Sequence, residues 1–321
     1  MTSHSARGSV FESRRFTNFA AITEAFQAGE LQASFILAPL AMTMARRGLP
    51  IKIVYLGHRD GTTIIVRRDD PIHTFADLRG KRIAIPHRYS NQRILIQRLM
   101  DQFGMTEHDV DLVEFPPPDM PAALRTHQFD AYIVGEPFAA QSELEGVGRV
   151  LYYTRDVWPN FISCVLAVDD RLIRDRPDLV QELVNGISDS GRWLDSPGTD
   201  LAAGVVTADV AGAHPDPSLA VLPNDWGRTH RMQAAVIAAR REYYNQNPAL
   251  LRFVLSHPPD RVRYVNLEPL RQDFEEIQRY AERLNFFEPS SPQHPFGFDD
   301  YVDTRFAARA AERAEARRAA P

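Results

Sequence analysis

The stretch DAYIVGEPFAAQSELEGVG, residues 130–148, decides how this chain is expected to fold. Its apolar segment AYIV predicts a buried strand, and the residues after Pro137 have the composition of a helix. Glu136 and Pro137 stand where the strand ends and the helix begins. In an open α/β sheet, ligands collect at the carboxyl ends of the strands, where the N–H groups of helix N-termini point outward. The stretch therefore predicts a binding site at this junction.

Strand and helix patterns alternate on both sides of this stretch. Upstream, IKIVYLG (residues 51–57) predicts a buried strand, and it follows a helical segment that opens at Pro39. After the predicted strand KRIAIP, the apolar spacing of residues 96–103 predicts a helix that Gly104 ends. This alternation predicts an α/β fold in which helices pack on parallel sheets.

The order of these patterns predicts two lobes. Residues 75–159 form a compact unit of alternating strands and helices, and we expect them to make a second lobe inserted within the first. The first lobe is then discontinuous and comprises residues 1–74 plus 160–321. A length of 321 residues with 44% hydrophobic and 25% charged residues suits two globular domains.

The second half of the chain returns to alternation. We predict a strand at ISCVLAV (residues 162–168) and helices over residues 177–194, 228–244 and 270–284, with a loop-rich section at 213–227. The Ala-, Arg- and Glu-rich tail from Phe306 suits either a frayed helix or disorder.

Composition excludes several classes of protein. The net charge of −5 and the pI near 6.1 argue against nucleic acid as a partner. No apolar run approaches the roughly 18 residues of a membrane span, which argues against membrane insertion. The first residues, MTSHSARGSVFESRRF, lack the apolar core of a signal peptide. Cys164 is the single cysteine, so a disulfide within one chain is impossible, and we expect a buried apolar residue.

Several enzyme signatures fail when tested against the sequence. Gly80-Lys81 lacks the upstream glycine and the following hydroxyl of a phosphate-binding loop, and Gly146-Val-Gly148 lacks the third glycine of a dinucleotide fingerprint. The histidines form no i, i+4 pair, and no GxSxG elbow occurs. We therefore predict no catalytic residues, no metal and no cofactor.

The segment IPHRYSNQRILIQ carries the sharpest binding prediction. Ser90 or Asn91 suits an N-cap, and the free N–H groups of the first helical turn then face the occupant of a cleft. An anion there gains about 0.3–1 kcal/mol from the helix dipole. The alternative is plain capping of a surface helix.

Three further positions at strand ends are candidates. Pro39 and His58 follow apolar strands and are expected to line the opposite wall of the cleft, although a lone histidine is more often a satisfied structural residue. Glu136 either caps the helix that follows Pro137, or it fixes a loop or accepts a hydrogen bond from the ligand or the opposing lobe. Because a carboxylate repels an anion at close range, we favour a structural or hinge-side role for Glu136.

Several segments together resemble the nitrate/sulfonate/bicarbonate-type substrate-binding proteins of ABC importers. They are DDPIHTFADLRGKRIAIP with the SNQ helix after it, VEFPPPDMPAALRTHQFDAYIVGEPFAAQ, WPNFISCVLAV and FDDYVDTRF. The resemblance extends over most of the chain from about Thr17, and its most distinctive part is PPPDM…DAYIVGEPF.

The resemblance implies a type II periplasmic-binding-protein fold whose two lobes trap a ligand by hinge closure. It places the ligand loop on Tyr89, Ser90, Asn91 and Gln92, and the strand-end loops on Pro39 and Glu136-Pro137. Family members begin with an export signal, a strand and a helix that precede the equivalent of Phe16, so the first lobe is expected to lack that strand and helix.

The function implied first is a non-enzymatic one. The chain would capture a small anion such as nitrate, bicarbonate or a sulfonate in the periplasm and deliver it to an ABC permease and ATPase. The alternative is a cytoplasmic regulator resembling nitrate sensors, which a genuine start without an export signal would favour. A third hypothesis is an enzyme resembling thiamine-pyrimidine synthases or a desulfinase, which would require a reactive cysteine. The sequence leaves the ligand open.

Overall fold

A computed structural model of the protein describes residues 2–4, 10–195, 248–258 and 260–319. The helix predicted over residues 228–244 and the loop-rich section at 213–227 lie outside the described residues.

Strands and helices alternate along the described chain. The strands are β1 (Thr2–His4), β2 (Val10–Glu12), β3 (Ala33–Ile36), β4 (Ile51–Asp60), β5 (Thr62–Arg67), β6 (Arg82–Ile85), β7 (Asp111–Glu114), β8 (Ala131–Gly135), β9 (Gly148–Tyr153), β10 (Ile162–Asp169) and β11 (Val262–Arg263). The α-helices are α1 (Phe19–Gln27), α2 (Ala38–Arg46), α3 (Asn91–Gln102), α4 (Met120–Arg125), α5 (Phe138–Leu144), α6 (Thr154–Val157), α7 (Asp170–Asp175), α8 (Pro177–Leu194), α9 (Pro248–Ser256), α10 (Arg271–Arg283), α11 (Phe298–Tyr301) and α12 (Arg305–Ala319).

The first large sheet has the strand order β11-β4-β10-β3 within the described chain. Its neighbouring strands are antiparallel, so the prediction of a purely parallel sheet is wrong here. The reason is that β10 returns from the other sheet and lies between β3 and β4, which share a direction because both oppose β10.

The second large sheet has the order β7-β6-β8-β5-β9 and is mixed. β6 is parallel to β7 and β8, as the βαβ pattern predicts, whereas β5 is antiparallel to β8 and β9. Helices accompany both sheets, which confirms the α/β fold class.

Within the residues that the structure describes, the chain passes between the two sheets at two places. The first crossing is at Gly61, between β4 and β5, and the second is the segment from Tyr153 to Ile162. The division into lobes at residues 75 and 159 stays a prediction. Because β5 pairs with β8 and β9, the sheets favour a first boundary near Gly61, which lies before residue 75.

Locally determined elements follow their predictions. α3 buries Ile94, Leu95, Ile96, Leu99 and Met100 and is followed by Gly104 at a φ of +62°. The predicted helix over 270–284 is α10, which buries Phe274, Ile277 and Ala281. The tail from Phe306 is helical in α12, where the carbonyl of Phe306 accepts a hydrogen bond from Gln181 of α8 at 3.0 Å.

Candidate functional site at the sheet crossings

Two buried hydroxyl groups mark the place where the chain passes between the sheets. Thr62 follows the first crossing and Ser163 follows the second, and they are 1% and 3% exposed. Their Oγ1 and Oγ atoms are 3.0 Å apart. We call Thr62 and Ser163 the hydroxyl pair. It ties the two crossings together in an environment from which solvent is excluded.

Helix α3 begins against this pair. Ser90 is its N-cap, with extended backbone and an Oγ that accepts a hydrogen bond from the N–H of Arg93 at 3.0 Å. Ser90, Asn91 and Gln92 are 0–2% exposed. The alternative of a surface helix is therefore wrong, because the start of α3 is buried at the crossings.

The side chains of the first turn of α3 reach both crossings. Asn91 donates from Nδ2 to the carbonyl of Ile162, and Gln92 places Nε2 3.4 Å from Thr62 Oγ1. In the part of the chain that the structure describes, Asn91 Oδ1 and Gln92 Oε1 are buried without a hydrogen-bond partner. Leaving a buried polar atom unsatisfied costs about 1–3 kcal/mol. Both unpartnered atoms are carboxamide oxygens, which accept hydrogen bonds.

Glu136 is held by the protein itself. Its Oε1 accepts hydrogen bonds from Arg261 Nε at 2.5 Å and Thr63 Oγ1 at 3.2 Å, and its Oε2 accepts one from the N–H of Ala140 at 2.9 Å. Burial raises the pKa of Glu136, and the positive charge of Arg261 opposes that rise. This geometry favours the hinge-side and capping roles over ligand contact, which stays a prediction. Pro137 directly precedes α5 and is partly exposed.

Arg261 is a residue that sequence reasoning missed. Its side chain is fully buried, with Nη2 2.5 Å from Glu143 Oε1 and its guanidinium over the rings of Tyr153 and Phe253. Its backbone carbonyl accepts a hydrogen bond from Gly61 N–H at 2.8 Å, so it also touches the first crossing. Nothing in HPPDRVR distinguishes this arginine from the many others in the sequence.

His58 lies beside the first crossing as an uncharged ring. A Cβ at Gly61 would lie 2.8 Å from His58 Nδ1, and the ring centroid is 6.1 Å from that of Tyr264. Among the described residues, His58 Nδ1 has no hydrogen-bond partner. Burial lowers the pKa of His58 to about 4, so the imidazole is neutral at physiological pH.

The two remaining predicted positions are Pro39, which lies in α2, and Tyr89, which contacts the residue that follows α2. Pro39 is buried in its first turn, and the register of Ile36 with Val165 places that turn at the sheet edge that holds His58. Tyr89 instead accepts a hydrogen bond from Arg47, which follows the last residue of α2.

A cavity of about 240 Å³ adjoins the start of α3 on the side of the second crossing. Its lining includes Asn91, Trp158, Arg98 and Glu276. Arg98 pairs with Glu276 and lies 4.5 Å from the centroid of the Trp158 ring, which agrees with aromatic packing at the return crossing. The two carboxylates that line this cavity, Asp273 and Glu276, each pair with an arginine.

Other chemistries find little support among the described residues. Cys164 lies in β10 and is partly exposed, so the expectation of a buried residue is wrong; burial of its thiol still raises the pKa to about 12, which keeps the thiol protonated at physiological pH. The described ranges contain no group of three or more potential His, Cys, Asp or Glu metal ligands. None of the described helices has the length and apolarity to cross a membrane.

Two α/β sheets, two crossings and a buried helix start between them are the features of a two-lobed periplasmic binding protein. The chain belongs to the NMT1-like family, whose profile matches residues 4–208. This membership and the relatives below confirm the resemblance to nitrate- and sulfonate-type binding proteins.

Three similar proteins illustrate the relationship. The chain is 24% identical over 173 residues to the nitrate import ATP-binding protein NrtC of Synechocystis, covering 49% of this chain and 26% of NrtC. It is 27% identical over 220 residues to the taurine-binding periplasmic protein of Escherichia coli, covering 64% and 68%. The crystal structure of the periplasmic nitrate-binding protein NrtA from Synechocystis superimposes with a TM-score of 0.72 at 15% identity, covering 94% and 80%.

These relatives bear on the predicted class. The chain spans about a quarter of NrtC and about two thirds of the taurine-binding protein. The likeness to NrtA, at 15% identity, shows the fold. The taurine- and nitrate-binding relatives are named for binding.

Proposed function

We propose that this protein is the substrate-binding component of an ABC importer and captures a small anion where the two sheets meet. The observation that carries the proposal is the start of α3, whose first-turn residues Ser90, Asn91 and Gln92 are buried where the two crossings meet. Nitrate, bicarbonate and sulfonates are the ligand classes, in line with the names of its relatives.

An anion suits this position for electrostatic reasons. The first-turn N–H groups of a helix lack intrahelical partners and carry the positive end of the helix dipole. α3 is 12 residues long, and its first turn is shielded from water. Charge-assisted hydrogen bonds from N–H groups are about twice as strong as neutral ones. The anion is thus bound by amides rather than by a dedicated cation.

Burial of the site requires a hinge. With Ser90, Asn91 and Gln92 at most 2% exposed, a ligand enters only when the lobes separate. The crossings at Gly61 and at residues 154–161 are the two connections about which lobes of this kind rotate. We propose that closure of the lobes traps the ligand, and that an ABC permease and ATPase receive it on the periplasmic side of the membrane.

Calorimetric titration of nitrate, bicarbonate, taurine and ethanesulfonate into the purified protein tests the proposal. We expect at least one to bind, and Gln92→Ala to weaken that binding by about 1–2 kcal/mol because a charge-assisted hydrogen bond is lost. Gln97→Ala is the matched control, since Gln97 lies on the same helix, is 7% exposed and bonds Asp101. Failure of all four anions to bind, or equal effects of the two variants, would rule the proposal out.

A further inference from the structure

The hydroxyl pair lies next to the carboxamide of Gln92 and bears on whether its oxygen or its NH2 group faces the ligand. Gln92 and Thr62 are in contact at 3.4 Å, and Thr62 and Ser163 are in contact at 3.0 Å. In the second contact either hydroxyl can donate. Rotation of the Gln92 carboxamide exchanges its oxygen, an acceptor, with its NH2 group, which has two donors. Two arrangements of this chain of three side chains are therefore possible.

In the first arrangement the Gln92 NH2 group donates to Thr62, and Thr62 donates to Ser163. The Gln92 oxygen then faces away from the pair without a donor, and the Ser163 proton has no acceptor among the described residues. Three buried groups remain unsatisfied, at about 1–3 kcal/mol each: the Gln92 oxygen, the second N–H of its NH2 group and the Ser163 proton. A ligand at this site would have to be a hydrogen-bond donor.

In the second arrangement Ser163 donates to Thr62, and Thr62 donates to the Gln92 oxygen. Both hydroxyl protons and the carboxamide oxygen are then used, and only the NH2 group of Gln92 is left. That group is a donor, so its natural partner is an acceptor such as an oxyanion. Satisfaction of buried polar groups favours this arrangement over the first.

We infer that Thr62 and Ser163 are specificity-determining residues that turn the NH2 group of Gln92 toward the ligand and so select anions. The inference rests on the proposed function. Thr62 and Ser163 belong to different crossings. The orientation of Gln92 therefore depends on the position of one crossing relative to the other, which keeps the two hydroxyl groups in contact. Neither residue has to touch the ligand, and their role is that of positioning residues.

The test uses whichever of nitrate, bicarbonate, taurine and ethanesulfonate binds best, titrated by calorimetry. Thr62→Val keeps the shape of the side chain but removes its donor, and we expect a loss of affinity of about tenfold. We expect a smaller loss in Ser163→Ala, because Thr62 then keeps its own proton for Gln92. Thr62→Ser should stay within about twofold of the parent. Thr23→Val is the control, since Thr23 lies on α1, is half-buried and donates from Oγ1 to the carbonyl of Phe19 at 3.1 Å.

A double variant separates positioning from general structural damage. In a Gln92→Ala background, Thr62→Val should cause no further loss of affinity, because no carboxamide remains to be oriented. If the parent protein binds an anion but Thr62→Val binds it as Thr23→Val does, or if the losses from Thr62→Val and Gln92→Ala simply add, the inference is overturned while the proposed function stands. If none of the four anions binds the parent protein, both are overturned. Should Thr62→Val not fold, Ser163→Ala and Thr62→Ser decide the same question: equal affinities in the two variants would refute the inference.

Discussion

Glu136 and Arg261 form a buried ion pair between the start of α5 and the segment that leads into β11. The distance from Arg261 Nε to Glu136 Oε1 is 2.5 Å, and the side chains are 0% and 4% exposed. Arg261 also pairs with Glu143, so one guanidinium is shared by two carboxylates of the second sheet's lobe. The pair fastens β8 and α5 to the four-stranded sheet beside the first crossing.

Removing the guanidinium should therefore be costly. Arg261→Met leaves the carboxylates of Glu136 and Glu143 without their cation, and we expect the free energy of unfolding in urea to fall by about 3–5 kcal/mol. Arg14→Met, which breaks the exposed pair with Glu30, should change it by less than about 1 kcal/mol. Equal effects of the two substitutions would show that the buried pair does not hold the lobes.

The N-cap of α3 serves both stability and binding. Ser90→Ala removes the acceptor for the N–H of Arg93, and we expect it to lower the free energy of unfolding by about 1 kcal/mol. Asn18→Ala removes the N-cap of α1 and should cost about the same. Only Ser90→Ala should also weaken anion binding in calorimetry, because only α3 begins at the crossings. Equal affinities in the two cap variants would contradict the proposed site.

The features predicted correctly from the sequence are those that short stretches determine. The cap at Ser90, the glycine stop at Gly104 and the period of α3 depend on neighbours within a few residues. The same holds for the strand that precedes Glu136. We expect polar residues at the ends of these strands and the starts of these helices, and Gln92 lies at the crossings, in contact with Thr62.

The features that sequence reasoning missed depend on contacts between distant residues. Glu136 and Arg261 are 125 positions apart, and no local pattern marks a buried arginine in an arginine-rich chain. The insertion of β10 between β3 and β4 is equally nonlocal, because a strand's alternation does not specify its neighbours. The contact of Tyr89 with Arg47, which is 42 positions away, is nonlocal in the same way, and the place of Tyr89 in the ligand loop stays a prediction that the resemblance implies.

The buried imidazole of His58 predicts a loss of stability in acid. Its pKa of about 4 in the folded protein lies below the ordinary value of 6.5, so between these values the unfolded chain binds more protons. The free energy of unfolding must then fall as pH drops from 6.5 toward 4, by at most about 3 kcal/mol from this residue.

His58→Gln should flatten this part of the pH profile, measured by urea unfolding at closely spaced pH values. The exposed His108→Gln controls for the removal of one histidine. A profile of His58→Gln that is parallel to that of the parent protein from pH 6.5 to pH 4 would show that the ring is not buried in its neutral form.

Gly61 makes the first crossing possible, and a methyl group there should be harmful for two reasons. Its φ is +64°, a left-handed conformation that costs other residues about 1–2 kcal/mol. A Cβ would also lie 2.9 Å from Val262 Cγ2 and 2.8 Å from His58 Nδ1, which adds about 1–3 kcal/mol of overpacking. Gly29→Ala is the matched control, because Gly29 has a φ of +72° but no heavy atom within 4 Å of its Cβ position. Urea unfolding should therefore show a larger loss for Gly61→Ala than for Gly29→Ala. Equal losses would mean that only backbone strain, and not contact with His58 and Val262, requires glycine at the crossing.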